Sequence, residues 1–277
     1  MDPPKFSARD SYDACVRGTR DPHRRSLLLA AGDSIEAAGG RFRQAAQRGA
    51  LHELKTTEFV VPGIAANDAT RWVYENGMVN TVEGRAVYDR IMAAPTDERC
   101  PLCGHGVVRT LDHFLPKKMF PALCVDPLNL VPACADCNHA KGERLPSCAE
   151  TTPLHPYLDR IEHDPWLAAR IVDCSPLYLD FFVNPPCEWE QVLVDRTAHH
   201  FNMFKLAELF ATQANRTINN IRQQLTTMLA TGGPAVVSAY LSAEAATRRA
   251  HRLNSWEGVT YQTLACDETF CTGAFIP

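Results

Sequence analysis

Four cysteines, Cys100, Cys103, Cys134 and Cys137, stand in two Cys-x-x-Cys knuckles, and the 30 residues between the knuckles include Asp112 beside His113 and, further on, Asn129. Each knuckle sets two thiolates on one tight turn, and two knuckles close a four-sulfur shell of the kind that holds zinc tetrahedrally. Such a shell leaves no open position, so the predicted zinc is structural. Chemistry then falls to the interval, which is longer than closing a zinc ribbon requires. Residues 107–113 read as a short strand ending in a carboxylate and an imidazole. Neighbours on a strand face opposite ways, so one can hold a metal while the other addresses a different atom. Residues 128–132 read as a second strand and 137–142 as the start of a helix, giving strand, strand, helix.

The ordered motifs Cys-x-x-Cys, Asp-His-x-x-Pro, Asn-Leu-Val-Pro, Cys-x-x-Cys-Asn and Lys-Gly fill 100–144, and this stretch resembles the HNH endonucleases, the zinc-supported branch of the ββα-metal nucleases. The resemblance implies that Asp112 binds one divalent ion, Mg2+ or Mn2+. It implies that His113 is the general base activating water, and that Asn129 fixes the catalytic loop and the imidazole by hydrogen bonds. Asn138, directly after the second knuckle, is the implied second metal ligand; His139 is the alternative, because some members carry His at that last position. Lys117, Lys118 and Lys141 suit phosphate contacts. These residue types fit phosphodiester hydrolysis, which needs a base working near neutral pH and a hard cation to compensate charge.

Outside the motif the chain resembles, more loosely, the HNH nuclease subunits of prokaryotic anti-phage systems such as Septu, which work with an ATPase. The implied substrate is DNA, and the implied partner is an ATPase or other defence-system subunit. No GxxxxGK[ST] loop occurs in this chain, so ATP use would belong to another polypeptide. Two further readings stay open: a stand-alone restriction-type nuclease, and a catalytically silent zinc-dependent nucleic-acid-binding module.

The elements that must position these residues read as mostly helical. The predicted fold is α+β, with a zinc-pinned ββα unit at 96–150 between an N-terminal helical region, 1–95, and a C-terminal region, 151–277, of a short hairpin and then helices. A helix is expected from Asp68 or Thr70 as N-cap, another over 83–94, strands at 178–183 and 191–195, a helix over 196–230 stopped by Gly232-Gly233-Pro234, and a last helix over 234–252. Residues 253–277 show no clear periodicity. Cys124, Cys148, Cys266 and Cys271 read as packed or surface thiols, and Trp166 and Trp189 as core anchors.

Composition is that of an ordinary globular chain: 277 residues, 45% hydrophobic, 22% charged. The net charge of -4 carries no global nucleic-acid signal; over 17–48 seven Arg stand against three acids, first of all a solvated helical face and otherwise a phosphate- or partner-contacting one, and over 99–144 six Lys/Arg stand against four acids, a modest excess. Eleven cysteines without a secretory leader or apolar span predict a cytoplasmic protein that binds no membrane and uses its thiols for metal and packing.

Overall fold

The computed structural model describes residues 1–172 and 177–276, divided into two compact units, Met1–Asp159 and Arg160–Pro277. Both are mostly helical, and each holds one two-stranded antiparallel sheet. The N-terminal helices and the knuckle stretch, read from sequence as separate regions, lie together in the first unit.

In that unit, α1 (Ala8–Arg17), α2 (Pro22–Ala30) and α3 (Gly32–Gln47) start where side chains can cap them. Ser7 and Asp10 form a capping box on α1, and Asp21 with Pro22 opens α2. A short α4 (Ala66–Ala69) runs directly into a ten-residue π-helix, Thr70–Val79, and α5 (Val82–Met92) folds back on it behind the Thr81 cap. Neither Asp68 nor Thr70 is the N-cap expected from sequence; the helix begins at Ala66 behind extended Ala65. The return is close: a Cβ on Gly84 would lie 2.3 Å from the Gly77 carbonyl oxygen.

These helices hold the segment leading to the site. Ser11 Oγ on α1 donates to the Val125 carbonyl at 2.6 Å. Gly39 on α3 passes so near Asp126 that a Cβ there would sit 2.8 Å from Oδ2. The first unit's sheet pairs β1 (Thr110–His113) with β2 (Leu130–Ala133), Asp112 opposite Val131, and α6 (Ala135–Lys141) follows. The sequence reading of strand, strand, helix is the observed order.

The second unit pairs β3 (Leu167–Val172) with β4 (Tyr178–Val183) and packs them with α7 (Gln191–Met203), α8 (Leu206–His251) and α9 (Trp256–Cys266). The expected strand at 191–195 is the first turns of α7. Val192 and Val194 offer too short an alternation to outweigh the stripe of Arg196, Thr197, His200 and Phe201 that α7 buries. The partner of 178–183 is therefore the upstream 167–172. Gly233, at φ 72°, bends α8 where a stop was expected, and Pro234 starts its second arm. The stretch after 253 holds α9, whose periodicity is hidden because Trp256, Val259, Thr260, Tyr261 and Leu264 bury most of its circumference. No helix among the described residues is long and apolar enough to cross a membrane.

Asp126 is 2% exposed; Oδ1 accepts from the Leu128 amide while Oδ2 is buried without a hydrogen-bond partner. Burial pushes its carboxyl up to about 6, against the pull of the Leu128 amide and Arg43. The folded state therefore keeps a proton that the unfolded chain has already released, so stability falls as pH rises from about 4 through 6. Asp126→Asn is expected to flatten that slope, a difference of the order of 2 kcal/mol, read from urea melts at pH 4.5 and 7.

Candidate metal and catalytic site

Ligand atoms of Cys100, Cys103, Cys134 and Cys137 all lie within 4.8 Å of one another, and all four residues are buried. Zinc–sulfur bonds of ~2.3 Å in a tetrahedron separate the sulfurs by ~3.8 Å; Cys103 Sγ and Cys134 Sγ are 3.9 Å apart. Each knuckle is drawn tight by backbone amides aimed at sulfur, Gly106 N to Cys103 Sγ at 3.3 Å and Cys137 N to Cys134 Sγ at 3.4 Å. Gly106 has to be glycine, since a Cβ would meet Cys134 Sγ at 2.8 Å. Four thiols this close and this buried cannot ionise together without a cation, and a divalent cation would stabilise four thiolates at once. The cluster can hold a structural metal such as zinc.

The second knuckle is also the start of α6, because Cys134 is its N-cap. From there α6 presents Asn138 and Lys141, three residues apart and so on one face, to β1. Asn138 Nδ2 donates to Thr110 Oγ1 at 3.1 Å, which turns the amide oxygen away from that bond. Lys141 Nζ donates to Asp112 Oδ1 at 3.1 Å and to the His113 carbonyl at 2.8 Å, and lies 3.1 Å from Asp112 Oδ2. Thr110 and Asp112, two apart on a strand, share the face that α6 covers. Asp112 is 5% exposed and its Oδ2 makes no hydrogen bond. Burial raises its carboxyl to about 6 in spite of Lys141. The Asp112 carboxylate is thus ion-paired through both oxygens with Lys141, and a carboxylate and an amide oxygen on this face are the ligand types a hard cation takes.

His113 ends β1 and faces the other way. Its Nε2 is 2.9 Å from the Cys124 carbonyl oxygen; a carbonyl only accepts, so Nε2 carries the proton and Nδ1 is left with its lone pair. Burial pulls the half-buried imidazole down to about 3, the hydrogen bond to the Cys124 carbonyl pulls back, and the charges of Lys117 and Lys141 add smaller downward pulls.

Asn129 is fully buried and touches three backbone groups: its Oδ1 accepts from Leu115 N at 2.7 Å, and Nδ2 donates to the carbonyls of Leu115 and Leu123 at 3.0 and 3.1 Å. It staples together the segments flanking His113 and Cys124, and so fixes the carbonyl that orients the imidazole without touching the ring itself. His155 and Tyr157, from the His-Pro-Tyr turn, support this staple from behind. His155 Nε2 is 3.0 Å from the Leu128 carbonyl oxygen, and Tyr157 OH donates to that of Leu130 at 3.0 Å.

One lysine assignment needs correction. Lys141 is 2% exposed and engaged with Asp112, so burial and ion pairing remove it from phosphate reach. Lys118 is exposed but paired with Glu143 at 2.6 Å. Lys117 stands beside the imidazole, its ammonium 4.3 Å from the centre of the Tyr74 ring and 3.7 Å from Glu75 Oε1. His139 is exposed on α6, whereas Asn138 is turned towards β1. Tyr74 itself, whose ring lies 4.7 Å from that of His113, was not legible from sequence: it sits 39 positions upstream in a helix with no motif of its own.

No known family's sequence profile matches the chain, and no solved structure matches it. Protein ea31 of Escherichia phage lambda is similar, 29% identical over 241 residues that span 80% of this chain and 79% of that protein.

The cysteine cluster ties both ends of β1–β2–α6, a unit with little core of its own. Cys134→Ser is expected to lose bound metal and thermal stability together; elemental analysis finding no zinc in folded wild-type protein would contradict the assignment.

Proposed function

We propose that the chain is a metal-dependent endonuclease of the HNH type, hydrolysing phosphodiester bonds in DNA. The observation that carries this reading is the division of β1. Asp112, a buried carboxylate neutralised by Lys141, and Asn138 address one face, while a His113 of defined tautomer addresses the other at the strand's end. A hard divalent ion, Mg2+ or Mn2+, held by Asp112 and the Asn138 amide oxygen, supplies charge compensation at the scissile phosphate and the leaving oxygen. Structural zinc in the cysteine cluster keeps α6 in register with β1.

In this reading His113 Nδ1 takes the proton from the attacking water. The Cys124 carbonyl, accepting from Nε2–H, steadies the imidazolium that results. Asn129 holds that carbonyl in place, and Lys117 offers a cation to the phosphate. Lys141 favours the ionised form of Asp112. The same ion pair supports a second reading, a silent nucleic-acid-binding module in which the ammonium of Lys141 permanently takes the cation's place.

The biological setting we infer is prokaryotic anti-phage defence with an ATPase or other subunit as partner. Its support is the motif resemblance and the lack of a nucleotide-binding loop in this sequence.

Plasmid nicking and Mn2+ binding of point variants test the roles. His113→Ala is expected to lose roughly 10²- to 10⁴-fold in cleavage rate and keep Mn2+ binding. Asp112→Asn, chosen because alanine would leave Lys141 buried and unpaired, is expected to lose both. His139→Ala is expected to be mild, and metal loss in that variant with retention in Asn138→Ala would move the ligand to His139. Cleavage that survives His113→Ala would overturn the mechanism, and Mn2+-independent DNA binding without cleavage would favour the silent module.

A further inference from the structure

We infer that Tyr74, carried by the π-helix, is a positioning residue for His113, and that its aromatic ring rather than its hydroxyl performs the role. The inference rests on the nuclease reading for its functional consequence, while its structural content stands on contacts within the first unit.

A single hydrogen bond from Nε2 to the Cys124 carbonyl fixes the proton on the imidazole but leaves the ring free to swing about the bonded nitrogen. A second contact is needed to hold Nδ1 in one direction. Tyr74 supplies it: the two ring centres are 4.7 Å apart with planes at 66°, an edge-to-face packing that aromatic pairs favour. The same ring has the Lys117 ammonium 4.3 Å from its centre. Lys117 is further held by Glu75, next to Tyr74 on the π-helix, and its carbonyl accepts from Thr70 Oγ1 in a long 3.5 Å contact. One helix therefore holds both the base and the cation beside it.

Thr70 and Tyr74, four apart and so on one side of the π-helix, meet Lys117 and His113; Thr70, Val73, Gly77 and Met78 are buried. Gly77 packs on α1, where a Cβ would meet the Cys15 carbonyl oxygen at 2.7 Å, and Gly84 packs on Gly77. Short π-segments are uncommon and recur at functional sites. A helix clamped on both sides by glycine contacts is a rigid carrier for a ring whose placement matters to within about an ångström. Both contacts that Tyr74 makes here, to the His113 ring and to the Lys117 ammonium, are made by its ring, which assigns the work to the ring.

The test uses the full chain, zinc-loaded, with Mn2+ and supercoiled plasmid, and compares wild type, Tyr74→Phe, Tyr74→Leu and His113→Ala. Long-range 15N–1H spectra of the His113 ring are recorded on each variant that keeps the histidine. Tyr74→Phe is expected to match wild type. Tyr74→Leu is expected to lower kcat roughly 10- to 100-fold with KM, Mn2+ affinity and zinc content unchanged. Its His113 ring should keep its Nε2–H tautomer, held by the Cys124 carbonyl, and lose its ring-current shift. An unchanged kcat and unchanged His113 spectrum in Tyr74→Leu would overturn the inference, as would a loss confined to KM or to melting temperature. Absence of cleavage in wild type, or its survival in His113→Ala, would instead count against the nuclease reading, and the spectra would still decide whether Tyr74 orients the ring.

Discussion

The β1–β2–α6 stretch of the first unit rests on one constraint, the closure of the 30-residue interval by the four-cysteine cluster. Two four-residue strands and a seven-residue helix bury too little apolar surface to order themselves. Cys134 is at once a cluster member and the N-cap of α6, so the position of the cluster sets the phase of the helix. That phase decides that Asn138 and Lys141, and not His139, meet β1. A change at the cluster is thus felt at Asp112 without any direct contact.

A second layer of order comes from the protein around the motif. Ser11 on α1 bonds Val125, Gly39 on α3 makes room for Asp126, and His155 and Tyr157 take the carbonyls on either side of Asn129. The segment 120–130 is buried throughout, so its carbonyls need such partners. The result is a Cys124 carbonyl that has little freedom, which is what a proton-orienting acceptor requires. The helices of 1–95 are therefore part of the site's frame rather than a separate domain beside it.

Legibility from sequence followed the range of the interactions. The knuckles, the strand order and the opposed directions of Asp112 and His113 are local properties, set by spacings of one to four residues, and the structure has them as read. The partner of 178–183 was misread because two alternating valines look like a strand when the competing helical stripe, centred on Arg196 to Phe201, lies just downstream. Lys141 was misread because an isolated lysine in sequence carries no sign of the buried carboxylate 29 positions earlier. Tyr74 was invisible for the same reason: its partner is reached only through the glycine packing of α1, the π-helix and α5, which has no periodic signature. The bend in α8 at Gly233, in contrast, is written in the backbone chemistry of Gly-Gly-Pro.

In the nuclease reading, Asp112 on β1 and Asn138 on α6 together hold a divalent ion beside a DNA phosphate. The most direct measurement is a crystal structure of the zinc-loaded chain with Mn2+ and a short DNA duplex, with anomalous scattering collected at both metal edges. The account predicts a zinc peak among Cys100, Cys103, Cys134 and Cys137, and a separate manganese peak ligated by Asp112 Oδ2 and the Asn138 amide oxygen, with a phosphate oxygen on the same ion. A map with no manganese at Asp112, its carboxylate still capped by Lys141 while DNA is bound, would contradict it.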